Sequence, residues 1–71
     1  MSRELSPIAK NIKRLRKKLG LSQDKLSKLA NVSHNTIIKI ESGGIQSPTI
    51  KTAQKIARAL GVSVDYLIKE K

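Results

Sequence analysis

A chain of 71 residues with 38% hydrophobic side chains suffices for one compact domain and leaves little volume for a buried substrate pocket of enzyme size. Fifteen Lys and Arg against five Asp and Glu give a formal net charge of +10, which points to a polyanionic partner, nucleic acid ahead of an anionic membrane surface. The absence of cysteine excludes disulfides and thiolate zinc sites. The opening MSRELSPIAK carries Glu4 and no apolar run, and no stretch approaches the ~20 apolar residues of a membrane span, so neither secretion nor membrane insertion is expected and the location expected is cytoplasmic.

Capping residues and breakers divide the chain into five helical segments, and with no alternating strand pattern or low-complexity tract between them the fold class is all-α. Ser6 and Pro7 open a helix over about 7–19, with Ile8, Ile12, Leu15 and Leu19 on one stripe, Lys10, Lys13, Arg14 and Lys17 opposite, and Gly20 as the stop. Ser22 caps a second helix, about 22–30, with Asp24 in its first turn and Leu26, Leu29 and Ala30 on one face; Asn31, which tolerates the left-handed conformation, ends it. Ser33 starts a third, about 33–41, that Gly43 can terminate. After the loop Gly44 to Gln46, Ser47 and Pro48 repeat the Ser-Pro start and predict a helix over about 48–60 through Ile50, Ala53, Ile56, Ala57 and Leu60, closed by Gly61. Ser63 caps a short fifth helix, about 63–69, holding Val64, Asp65, Tyr66, Leu67 and Ile68. The loops after the two Ser-Pro pairs differ in length, so the pairs reflect shared capping chemistry and not an internal repeat.

The third helix carries more isoleucine than one buried face can use. With Ile37 at 0° and pointing to the core, Ile40 falls at about 300° and Glu41 at about 40°, on the core side, whereas Asn35 falls at about 160°, Lys39 at about 200° and Ile38 at about 100°. An amide, an amine and an aliphatic branch then share the outward face, and these are groups that pair with adenine N6 and N7, donate to guanine O6 and N7, and touch the thymine methyl in a major groove. His34 and Thr36 lie in the first turn, where short polar groups and free backbone N–H donors meet base edges or phosphate. Each has a plainer reading: Ile38 packed against the loop Gly44 to Gln46 or at a dimer contact, Asn35 solvated near the cap, Lys39 on phosphate alone, and His34 structural or solvent-facing. A lone histidine with no second ligand nearby argues against a metal site, and no cofactor or small-molecule ligand is expected.

The stretch GLSQDKLSKLANVSHNTIIKIESG resembles the helix-turn-helix of the Cro and C1-type repressors, the XRE family. The likeness lies in the Leu-Ser-Gln start of the second helix, the apolar pattern Leu26, Val32, Ile37 and Ile40, and Glu-Ser-Gly closing the third; it extends to IARALGVSVDYLI. The resemblance implies a single compact five-helix lambda-repressor-like domain over 1–71, with the helix-turn-helix formed by helices 2 and 3. It also implies a homodimer on a palindromic operator in double-stranded DNA, acting mainly as a repressor of transcription. By position, Ser33, His34, Asn35 and Lys39 correspond to residues that read bases, with Ile38 beside them. Ser22, Gln23, Thr36 and Ser42 correspond to residues that hold the DNA backbone. Arg16 and Glu41 resemble a pair that bridges helices 1 and 3 internally.

The chain departs from the family pattern in three places. Ser27 stands where alanine is frequent, Asn31 where glycine is frequent, and the loop of Gly44, Ile45 and Gln46 lacks the usual basic charge, so backbone grip there would fall to N–H groups, Gln46 or Thr49. Ile45, Tyr66, Leu67 and Ile68 are the apolar candidates for a dimer contact. An RNA or single-strand binder fits poorly because Tyr66 alone cannot form a stacking platform. A membrane-active basic helix would not be followed by four capped ones. One histidine, no cysteine and scattered carboxylates supply no catalytic constellation, so an enzyme is not expected. A protein-interaction module on the same fold, an antitoxin or adaptor, is the alternative reading, and it predicts little sequence-specific DNA binding.

Overall fold

Residues 6–69 are described by the computed structural model; the non-secretory reading of the chain's opening rests on residues 1–5, which lie outside that range. Five helices follow in order: α1 (Pro7–Lys18), α2 (Gln23–Ala30), α3 (His34–Ser42), α4 (Ile50–Leu60) and α5 (Val64–Ile68). No strand occurs among the described residues. Every helix begins on a hydroxyl. Ser6, Ser22, Ser33, Thr49 and Ser63 accept from the backbone N–H three residues on, at 3.4, 3.0, 3.0, 3.1 and 3.0 Å, each satisfying one donor that the first turn leaves without a partner.

Helix α4 therefore starts at Ile50 and not at Pro48. Two hydroxyls compete for its cap, and Thr49 prevails over Ser47 because its Oγ1 both accepts from the Thr52 N–H and donates to Thr52 Oγ1 at 3.0 Å. Smaller shifts occur at other ends: Leu19 is the C-cap of α1, α3 runs on to Ser42, and Lys69 is already extended at φ −70°, ψ 135°. Asn31, at φ 58° and ψ 44°, ends α2 in the left-handed region, and the Val32 N–H reaches back 3.0 Å to the Ser27 carbonyl. This turn sets the angle between α2 and α3.

The core gathers Ile8, Ile12 and Leu15 from α1, Leu26 and Ala30 from α2, Ile37 and Ile40 from α3, Ala53, Ile56, Ala57 and Leu60 from α4, and Leu67 from α5. Helix α2 packs on α3 and α4, while α1 packs on α3, α4 and α5. Three residues assigned to apolar stripes are exposed instead: Leu19, Leu29 and Ile50. Leu19 leaves the helix at the cap. On α2 the buried face is centred between Leu26 and Ser27, about 107° away from Leu29. Ser27 can be buried there because its hydroxyl donates to the Asp24 carbonyl at 2.6 Å. Ile50 points about 70° off the buried face of α4.

Leu67 is fully buried, which removes it from the candidate dimer contact; Tyr66 and Ile68 beside it remain exposed, and Ile45 is half-buried against the core. A five-residue helix such as α5 cannot hold itself. Asn11, buried on α1, ties it down: its Nδ2 donates to the carbonyls of Leu67 at 2.7 Å and Lys69 at 2.8 Å. Arg14 donates to Asn11 Oδ1 at 3.2 Å and lies 6.0 Å from the centre of the Tyr66 ring. Hydrogen bonding to Arg14, and then its charge, hold the Tyr66 phenol below the usual tyrosine value.

Arg16 and Glu41 form a bidentate ion pair between α1 and α3, with Nε to Oε2 at 2.7 Å and Nη2 to Oε1 at 3.0 Å. The side chains are 11% and 4% exposed. Arg16 Nη1 also donates to the Leu21 carbonyl at 2.8 Å, and Gln23 Nε2 donates to Glu41 Oε1 at 3.1 Å, so three helices and the α1–α2 loop meet at one carboxylate. The hydrogen bonds to Glu41, aided by its charge, keep the Arg16 guanidinium above its ordinary value against the cost of burial. Glu41→Leu alone leaves a buried cation without a partner and is expected to cost about 3–5 kcal/mol, whereas Arg16→Met combined with Glu41→Leu recovers most of that loss. Urea unfolding of the single and double variants checks this, and equal losses in the two would contradict it.

Candidate nucleic-acid interface

The interface is built from the start of α2, the turn at Asn31 and the outer face of α3. Burial of Ile37, Ile40 and Glu41 fixes the rotation of α3 and leaves Ser33, His34, Asn35, Ile38, Lys39 and Ser42 exposed, with Thr36 half-buried at the margin. Ser22 is exposed and Gln23 half-buried at the start of α2. Ile38 keeps 40% of its surface exposed. Ile45, in the loop Gly44 to Gln46, turns to the core, and its N–H donates to the Lys39 carbonyl at 3.1 Å.

Hydrogen bonds divide these side chains into two groups. Ser22 and Ser33 cap helices, and Ser33 Oγ also lies 2.7 Å from Thr36 Oγ1. Ser42 Oγ donates to the Lys39 carbonyl at 3.2 Å, Gln46 Nε2 donates to the Gly43 carbonyl at 3.2 Å, and Thr49 is occupied at the start of α4. The amide of Gln23 donates to Glu41. These bonds hold helix starts, loop backbone and the Glu41 carboxylate in place. The side chains of Asn35 and Lys39, in contrast, make no hydrogen bond among the described residues and are exposed, so their donors and acceptors are free for another partner.

His34, at the first position of α3, lies beside a carboxylate of α2. Its Nδ1 lies 3.8 Å from Asp24 Oδ1, while Asp24 Oδ2 lies 3.3 Å from Lys28 Nζ. Sequence reasoning gave Asp24 only the role of a helix N-terminal charge. Its approach to His34 depends on how α2 packs against α3, which no spacing along the chain encodes. Among the described residues no three His, Cys, Asp or Glu side chains cluster as metal ligands.

The helix-turn-helix family matches residues 12–67. An uncharacterized HTH-type transcriptional regulator of Methanothermobacter thermautotrophicus is 46% identical over 50 residues, covering 70% of this chain and 71% of its own length. The HTH-type transcriptional regulator PuuR of Escherichia coli is 33% identical over 70 residues, or 99% of this chain, which spans 37% of the length of PuuR. Among solved structures, the N-terminal DNA-binding domain of SinR from Bacillus subtilis superposes with a TM-score of 0.86 at 34% identity, over 90% of this chain and 93% of that one. The P22 c2 repressor, solved with a synthetic operator, gives a TM-score of 0.82 at 30% identity, over 97% of this chain and all of that one, 100%. This chain belongs to the helix-turn-helix family of XRE, or Cro/C1, type, a family of DNA-binding transcriptional regulators.

Proposed function

We propose that the chain reads a palindromic operator in double-stranded DNA as a cytoplasmic homodimer, with α3 of each subunit in successive major grooves ~34 Å apart, and that it represses transcription from that site. The observation that carries this reading is the juxtaposition of the Asn35 and Lys39 side chains, both without a hydrogen-bond partner among the described residues, beside the exposed Ile38 on the face of α3 that the core does not use. Asn35 is matched to adenine N6 and N7, Lys39 to guanine O6 and N7, and Ile38 to a thymine methyl, with Ser33 and His34 at the end of the helix that enters first. Ser22, Gln23, Thr36, Ser42, Gln46 and Thr49 surround this face and fix register on the phosphates through the hydroxyl, amide and backbone capacity that capping leaves over. The repressor role is supported by the likeness to the P22 c2 repressor.

The apolar surface available for a dimer contact differs from the sequence expectation. Ile50 and Ile68 are exposed beside a groove of about 320 Å³ between Pro7, Ile8, Pro48 and Val64, Tyr66 is exposed on another face of α5 beside Arg14, and Leu67 is spent on the core while Ile45 is half-covered.

Selection of bound duplexes from a random library at ~0.15 M salt is expected to return a palindromic consensus. Asn35→Ala is expected to relax one adenine position and Lys39→Ala one guanine position, each with a loss of about 1–3 kcal/mol on the selected site. If the dimer neutralises about ten phosphates, log K falls against log salt with a slope near −9. A library that enriches nothing, with native and variant proteins alike in affinity, would favour the interaction-module reading. For the dimer, sedimentation equilibrium is expected to show a dimer on the selected duplex and its loss in Ile50→Lys with Ile68→Lys; monomer alone in every condition would remove that part.

A further inference from the structure

His34 is the only histidine in the chain and stands at the most exposed end of α3. The distance of 3.8 Å from its Nδ1 to Asp24 exceeds a hydrogen bond but lies within ion-pair reach, so the attraction depends on the charge of the imidazole. A neutral imidazole offers one donor and one acceptor; an imidazolium offers two donors on opposite sides of the ring. A carboxylate beside a polyanion lowers affinity unless cations cover it, and the two oxygens of Asp24 face Lys28 at 3.3 Å and His34 at 3.8 Å. The charged groups around the imidazole are few. From α2 come Asp24 itself, Lys28 paired to it at 3.3 Å, and the exposed Lys25. From α1 the contribution to α3 is Arg16, spent on Glu41 about 10 Å further along the helix. Helix α3 adds Lys39 and the positive end of its own dipole.

We infer that Asp24 is a positioning residue for His34, and that binding DNA loads a proton from solvent onto this imidazole, one per subunit. The inference rests on the placement of α3 in the major groove given above. The phosphates supply the negative field that favours the charged form, Asp24 draws in the Nδ1–H, and the Nε2–H on the far side of the ring donates to guanine N7 or O6. Because the bound state favours the protonated imidazole, the gain in affinity is fully present at low pH and is lost as pH rises through the titration of the complex. The pair thus ties the strength of readout at one base position of the operator to the charge of His34.

The test uses the full chain, Asp24→Asn and His34→Gln on the selected duplex at constant ionic strength, from about pH 5.5 to 8.5, a range that brackets the ordinary imidazole value near 6.5. Affinity of the native protein is expected to fall by up to about tenfold per pH unit for each His34, His34→Gln to be nearly flat, and Asp24→Asn to show a shallower dependence. Selection near the acid end is expected to return a guanine that fades near the alkaline end. Proton NMR of the sole imidazole is expected to show its titration moved to higher pH on DNA, and less so in Asp24→Asn. An unmoved titration, or the same pH dependence in His34→Gln, would overturn the inference, and a dependence equal on every duplex would place the contact on phosphate and overturn the guanine assignment. If no duplex is enriched at any pH, the α3 reading itself fails and this inference with it; a consensus that depends on Asn35 and Lys39 but ignores pH overturns the proton linkage alone. Thermal unfolding of each variant confirms that changes in binding are not changes in folding.

Discussion

The buried pair of Arg16 and Glu41 is the directional contact on which the orientation of α3 depends. Neither charge would be stable in the interior alone, and the bidentate geometry, the Leu21 carbonyl and the Gln23 amide together satisfy both. Isoleucine contacts between α1 and α3 are non-directional and tolerate small rotations. A guanidinium fork on a carboxylate does not, so the pair narrows the rotation that burial of Ile37 and Ile40 gives to α3. That rotation decides which residues meet solvent.

Once α3 is oriented, the sequence divides its duties with little overlap. Ile37 and Ile40 build the core, the Ser22, Ser33 and Thr49 hydroxyls close helix starts, and Asn35 and Lys39 are left without a partner among the described residues. A polar side chain held on a rigid helix and not bonded to its own protein is ready to bond elsewhere, and it loses less conformational freedom on binding than one carried on a loop. Exposed Ile38 fits the same logic, because a methyl-bearing surface between two polar groups complements a base edge better than it complements water.

Much of this was legible in the sequence. Serine caps and glycine stops located the helices because capping is local chemistry, readable within three residues, and the projection of α3 separated Ile37, Ile40 and Glu41 from Asn35 and Lys39 because helical rotation is fixed by the backbone. What escaped depended on packing between distant segments. Asn11 was indistinguishable from a solvated residue until α5 brought the carbonyls of Leu67 and Lys69 to it. Leu29 and Ile50 followed helical spacing yet face solvent, since periodicity gives the width of a stripe but not where the neighbouring helix centres it. The start of α4 was misplaced because Ser47 and Thr49 both satisfy the local rule, and only the Thr49–Thr52 hydroxyl contact separates them. The approach of Asp24 to His34 likewise exists only after α2 and α3 meet across the Asn31 turn.

The central claim is that the outer face of α3, and not the apolar α4–α5 side, is where this chain meets DNA. Backbone amide mapping by NMR, with isotopically labelled protein titrated against a selected duplex and a scrambled one, tests it most directly. The account predicts shifts that are specific to the selected duplex and concentrated on Ser22 and Gln23 and on Ser33 through Lys39. Shifts centred on Ile50, Tyr66 and Ile68, with the α3 amides unmoved by either duplex, would contradict it.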